Sequence, residues 1–201
     1  MEENHLGAGK KNAQKHHCWI VFLDESGISQ KPPVRRIWAP RGRTPVLRHC
    51  FNWKKLSICS ALAFNHTGRR TRLFFQIVSE SFNDEKLIVF LSEMRADFKG
   101  KKVILVWDGL PSHRSRRMTQ YLQGQRKWLN VTRLPSYAPD LNPVEYIWAN
   151  IKGKELANLC SGDLTLMVEG VRKGFFRIHE SNRLNHSFLK HGGLSLGRAV
   201  H

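Results

Sequence analysis

Two short apolar runs, each closed by an aspartate, limit what this chain can fold into. Trp19-Ile20-Val21-Phe22-Leu23 ends on Asp24, and Val103-Ile104-Leu105-Val106-Trp107 ends on Asp108. Each run is too short for a helix, is rich in bulky and β-branched side chains, and lacks the polar alternation of a half-exposed strand. Such runs read as central strands covered on both faces, which predicts an α/β fold.

The remaining patterns fit around these two strands. Residues 54–64 and 71–79 read as strands joined by the turn cluster Asn65-His66-Thr67-Gly68, so the first three strands form an antiparallel meander. Ser81 and Asp84 form a capping-box pattern, and Leu87, Phe90, Leu91 and Met94 follow at helical spacing, predicting a helix over 82–98. A polar helix over 113–124, a short strand over 129–134, and helices over 143–157 and 163–179 complete the order. Residues 30–49 carry four of the eight prolines and several arginines, and read as a loop with one short strand near Ile37 and Trp38. Residues 1–17 are expected to be a flexible basic arm, 18–180 one domain, and 181–201 a C-terminal tail.

Charge indicates the kind of partner. The 33 Lys and Arg against 16 Asp and Glu leave +17 with histidine neutral, well beyond the roughly 2–8 that solubility needs. Basic residues recur along the whole chain, at Arg35-Arg36, Arg41 and Arg43, Arg69-Arg70-Thr71-Arg72, Lys99-Gly100-Lys101-Lys102 and His113-Arg114-Ser115-Arg116-Arg117. This is an extended footprint for a polyanion. No apolar stretch long enough to span a bilayer occurs. The cysteines at 18, 50, 59 and 160 have no zinc-finger spacing and read as reduced thiols of a cytoplasmic protein.

In so basic a chain, three acids call for a reason. Asp24 and Asp108 close the two central strands, and Glu145 lies at the third helical position after Asn142 and Pro143. Carboxylates at two strand ends and one helix start can converge and hold divalent metal against a phosphodiester. Each also has a structural reading. Asp24 precedes Glu25-Ser26-Gly27 and can be a turn residue, Asp108-Gly109 is a common turn dipeptide, and Glu145 can serve as a capping glutamate. The helix dipole favours the ionised form of Glu145 in either role.

Three segments carry a family resemblance: Ile20-Val21-Phe22-Leu23-Asp24-Glu25-Ser26-Gly27, Val106-Trp107-Asp108-Gly109-Leu110-Pro111-Ser112-His113, and Leu134-Pro135 through Asn142-Pro143-Val144-Glu145-Tyr146-Ile147-Trp148. They resemble the DDE-type transposases of bacterial insertion sequences related to the mariner superfamily, and the resemblance covers roughly residues 18–157. The segment Arg35 to Gly42 is similar to that family's insertion after the first aspartate. The resemblance implies a ribonuclease-H-like fold, with Asp24, Asp108 and Glu145 as the catalytic and metal-binding triad for two Mg2+ ions, Mn2+ being a substitute. It also implies cleavage at transposon ends, strand transfer into target DNA at TA dinucleotides, a homodimer and a nucleoid-associated protein. The 36 residues between Asp108 and Glu145 slightly exceed the interval usual among mariner relatives, and Gly109 stands where many have asparagine. No helix-turn-helix module precedes the first strand, so a separate helix-turn-helix polypeptide or an upstream portion is expected to supply recognition.

The supporting residues come from the loop and the basic helix. Arg35, Arg36, Trp38, Arg41 and Arg43, with His113, Arg114, Arg116 and Arg117, are the DNA-binding candidates, the cations for the backbone and Trp38 for stacking. His113 is expected about one turn into a helix, where it reaches the scissile phosphate or orients a water, or else lies on the surface. Trp148 reads as core packing. Glu25 is expected on the opposite sheet face from Asp24 and outside the triad. Two other functions share these features: a nuclease of the same fold that only hydrolyses, and a non-catalytic DNA-binding remnant.

Overall fold

The computed structural model describes residues 16–31, 33–47, 54–135, 139–160 and 163–196. β1 (Trp19–Ser29), β2 (Lys55–Phe64) and β3 (Thr71–Val78) form the antiparallel meander predicted from the sequence. β4 (Val103–Trp107) adds in parallel beside β1, and β5 (Leu129–Arg133) in parallel beside β4. The sheet order is therefore β3-β2-β1-β4-β5. The helices are α1 (Asp84–Arg95), α2 (Arg116–Gly124), α3 (Pro143–Lys154), α4 (Leu164–His179) and α5 (Asn182–His191).

Strand alternation divides the interior into two cores. Ile20, Phe22, Ile104 and Val106 face α3, α4 and α5 through Ile147, Trp148, Ile151, Phe175 and Phe188. Trp19, Val21, Leu23, Val103, Leu105 and Trp107 face α1 and α2 through Leu87, Phe90, Leu91 and Met118. Burying one such side chain contributes roughly 1.5–3 kcal/mol, so burial on both faces is what draws β1 and β4 to the sheet centre. The same alternation sorts the functional side chains that follow them.

Several boundaries differ from the sequence expectation. β1 continues past Asp24 to Ser29 because β2 supplies a facing partner throughout, pairing Asp24 with Ser60 and Ser29 with Lys55. The cap of α1 is Asn83, whose side chain accepts the Lys86 N–H at 3.0 Å, and not Ser81. Asp84 instead accepts the Ser115 hydroxyl at 2.7 Å. The helix expected over 113–124 is split into a 3-10 turn, Pro111–Arg114, and α2, because Ser115 adopts extended backbone and caps α2 through the Met118 N–H.

Among the described residues no strand forms near Ile37 and Trp38, and both side chains are exposed. Part of the expected C-terminal tail is α5, capped by Ser181 and anchored by buried Phe188 and Leu189. Most of the expected basic arm, Cys50 and residues 136–138 lie outside the described residues. Cys18, Cys59 and Cys160 are free thiols, the first two buried.

Candidate active site

The parallel ladder between β1 and β4 pairs Phe22 with Val106. Asp24 stands two residues beyond Phe22 within β1, and Asp108 two residues beyond Val106, one past the end of β4. Asp24 continues the alternation that faces α3, whereas Asp108 lies just past the end of β4 and turns its carboxylate to His113. Asp24 is buried, and its Oδ2 accepts the Trp148 indole N–H at 2.7 Å. Trp148 thus packs in the core, as expected, and also orients a carboxylate.

Glu145 enters from the first turn of α3, which Asn142 ties to the sheet. The Asn142 side chain accepts the Val144 N–H at 3.2 Å and donates to the Leu23 carbonyl at 3.2 Å, one residue before Asp24. The Asn142 backbone N–H already donates to the Pro139 carbonyl at 2.8 Å, so a capping-box carboxylate has no donor left to take. The Glu145 backbone N–H donates to the Asn142 carbonyl at 3.1 Å, while its side chain, on a residue largely open to solvent, makes no hydrogen bond among the described residues. The helix start therefore leaves its carboxylate free.

Electrostatics link the three acids. Burial pushes Asp24 up to about 7, against the Trp148 hydrogen bond and with the charges of Glu145, Glu25 and Asp108 adding to the rise. Burial also raises Glu145; Lys152 opposes this, while Asp140 and Asp108 reinforce it. For Asp108 burial opposes the charge, yet hydrogen bonds from His113 and the Leu110 N–H, with Arg114 nearby, hold its carboxyl below the usual range.

Among the described residues, no three His, Cys, Asp or Glu side chains close into a metal-ligand cage. Asp24, Asp108 and Glu145 offer only oxygen donors, the ligand type that a hard cation takes.

His113 requires a correction. It is fully buried and not on the surface, stacked on Trp107 with ring centroids 4.0 Å apart and 3° between planes. Its Nδ1 lies 2.8 Å from Asp108 Oδ1 and its Nε2 lies 3.1 Å from Glu25 Oε1. Burial disfavours its charge, but the hydrogen bonds to Asp108 and Glu25 outweigh this and raise it to about 9. An imidazolium bridging two carboxylates fixes Asp108 from behind. Glu25 does occupy the opposite face, as expected, and the sequence reading missed its role as partner to His113. The only signal was a histidine five residues after Asp108, and periodicity could not show what lies across the sheet.

The basic candidates are differently placed. Arg35, Arg36, Trp38, Arg41 and Arg43 are exposed on the irregular segment 33–47. That segment is anchored behind α3: the Arg35 N–H donates to Asn158 Oδ1 at 2.8 Å, and Asn158 Nδ2 donates to the Arg35 carbonyl at 2.9 Å. Arg114 lies over Gly109, where a Cβ would meet its guanidinium. Arg116 is exposed, and Arg117 pairs with Glu85.

A five-stranded mixed sheet with helices on both faces, carrying acids on neighbouring central strands and on a covering helix, is a ribonuclease-H-like domain of DDE type. Residues 19–163 match the DDE superfamily endonuclease family, and the chain belongs to it. It is 23% identical over 160 residues to the Transposable element Tc1 transposase of Caenorhabditis elegans, covering 74% of this chain and 54% of that one. The chain thus spans about half the length of that curated relative.

Among solved structures, the Mos1 transposase paired-end complex with left transposon end matches at a TM-score of 0.65 and 18% identity, over 94% of this chain and 58% of that chain. The catalytic domain of Mos1 mariner transposase matches at 0.54 and 18% identity, over 97% of each. No helix among the described residues is long and apolar enough to cross a membrane.

Proposed function

We propose that this chain is the catalytic domain of a DNA transposase, cleaving DNA at transposon ends and transferring the freed strand into target DNA. The observation that supports the reading is the register of β1 and β4, which pairs Phe22 with Val106, two positions before Asp24 and Asp108, with Asn142, three positions before Glu145, bonded to the Leu23 carbonyl. Asp24, Asp108 and Glu145 are the residues that would hold divalent metal. When bound, Mg2+, or Mn2+ in its place, supplies activation of the attacking oxygen and stabilisation of the leaving one, and two ions do so for both oxygens at once. Support for this metal choice is the all-oxygen donor set, together with the Mos1 mariner paired-end complexes solved with Mn and with Mg.

The chain's own residues do the positioning. Trp148 orients Asp24, the His113 imidazolium holds Asp108, and the dipole of α3 favours the charged form of Glu145. Arg35, Arg36, Arg41, Arg43, Arg114 and Arg116 supply cations to phosphates, and exposed Trp38 supplies a stacking face. Insertion at TA dinucleotides, a homodimer, a separate helix-turn-helix partner polypeptide, a bacterial insertion-sequence origin and a nucleoid-associated cytoplasmic location extend the proposal on the strength of the three sequence blocks.

Asp108→Asn tests it. The substitution is expected to abolish Mg2+-dependent nicking of a transposon-end duplex while circular dichroism is unchanged, and retained cleavage in a nuclease-free preparation rejects the assignment. Strand-transfer assays with precut ends separate a transposase from a nuclease that only hydrolyses, since the latter leaves no joined product.

A further inference from the structure

A second charged feature lies at the opposite end of the sheet. The turn that leads into β4 carries Lys99, Lys101 and Lys102, and the turn that leads into β5 carries Lys127 and Trp128. Gly100, at φ 73°, lets the first turn close with the Lys101 N–H on the Phe98 carbonyl at 2.8 Å. The Val103 N–H donates to the Trp128 carbonyl at 2.7 Å and joins the two turns. Together they line a recess of about 590 Å³ that also includes Arg95.

The wall of this recess is ordered. Gln125 Oε1 accepts both the Trp128 indole N–H at 2.8 Å and Arg95 Nη1 at 3.2 Å, and the Arg95 guanidinium sits 5.7 Å from the Trp128 ring centroid. Among the described residues no carboxylate pairs with Lys99, Lys101, Lys102 or Lys127, and the nearby Asp97 pairs with Arg72. Four like charges gathered without a counter-ion weaken the fold by repulsion, so an external polyanion is what they match.

From Lys102 to Asp108 the chain of β4 runs about 20 Å, at roughly 3.3 Å per residue. A phosphate held here is therefore remote from one held at the acids. We infer that this recess is a second DNA-backbone site, gripping duplex phosphates away from the scissile position. The identity of the polyanion as DNA rests on the reading above; the recess itself does not.

The test compares two triple variants of the full chain, Lys99→Gln/Lys101→Gln/Lys127→Gln and the equally charged control Lys154→Gln/Lys173→Gln/Lys190→Gln on the other helical layer. Binding of a duplex of about 30 base pairs is followed by fluorescence anisotropy in EDTA, from about 50 to about 200 mM salt, where log affinity falls by roughly 0.9 per neutralised phosphate per log unit. The recess variant is expected to bind at least about tenfold more weakly at low salt and to flatten the salt slope by about 2–3, with the control close to wild type. Equal losses in both variants, or none in either, overturn the proposal. So does saturable binding of inorganic pyrophosphate at the recess with DNA affinity unaffected by the substitutions, which identifies a small-anion pocket. Because no metal or cleavage enters the readout, failure here leaves the catalytic assignment standing, and loss of that assignment leaves this binding result intact.

Discussion

Asp24→Asn is expected to stabilise the metal-free protein above neutral pH. In the folded chain Asp24 titrates at about 7, whereas an unfolded aspartate titrates near 3.9. The folded state thus binds this proton more tightly. The resulting stability is fully present below about pH 4 and is lost as the pH rises to about 7, a difference of about 3 units or roughly 4 kcal/mol at 1.36 kcal/mol per unit.

Asparagine carries no charge, so the variant escapes that loss, though its amide oxygen accepts the Trp148 N–H less strongly, at a cost of about 1 kcal/mol. The net expectation at pH 8 in EDTA is a gain of about 3 kcal/mol, or about 6–12 °C in Tm for a domain of this size. At pH 4 the two proteins differ little. Urea denaturation at both pH values measures this, and saturating Mg2+ narrows the pH 8 gap by stabilising the wild type alone. A variant that is neutral or destabilised at pH 8 in EDTA refutes the argument that ionised Asp24 is held at a cost in stability.

Trp148→Phe keeps the packing but removes the donor to Asp24, so Mg2+ affinity by calorimetry is expected to fall about 10–100-fold with little change in fold. Unchanged affinity would show that the indole only fills space. Arg177 donates twice to Glu155, at 2.7 and 3.0 Å, and the Glu155 side chain is only 10% exposed. Arg177→Met is expected to cost about 2–3 kcal/mol in urea denaturation, and adding Glu155→Gln to restore most of it, because an unpaired buried charge is worse than no charge. Phe188→Ala is expected to cost about 3–5 kcal/mol; a loss below about 1 kcal/mol means that α5 is not part of the cooperative core.

Much of the fold was legible because the signals are local. The uninterrupted apolar runs around Val21 and Leu105 marked the two central strands, the Asn65 to Gly68 cluster marked the β2–β3 hairpin, and Asn142-Pro143 marked the start of α3. The segment that became α5 was missed because Leu184, Phe188 and Leu189 are sparse among polar residues, although Ser181 ahead of them was a readable cap. The length of β1 was missed because its far half is held by β2, 36 and 34 positions away in the chain for Asp24 and Glu25 and their partners, and not by its own hydrophobicity.

For the site, residue type and position relative to strand and helix ends are what name Asp24, Asp108 and Glu145 as candidates, since those follow from patterns a few residues long. Which groups surround them was decided by the folded chain alone. The Trp148 bond to Asp24 spans 124 positions and the His113 bond to Glu25 spans 88. Periodicity reports which face a side chain leaves from; only packing of the two helical layers against the sheet determines what it meets there, and that sets the charge state of each acid.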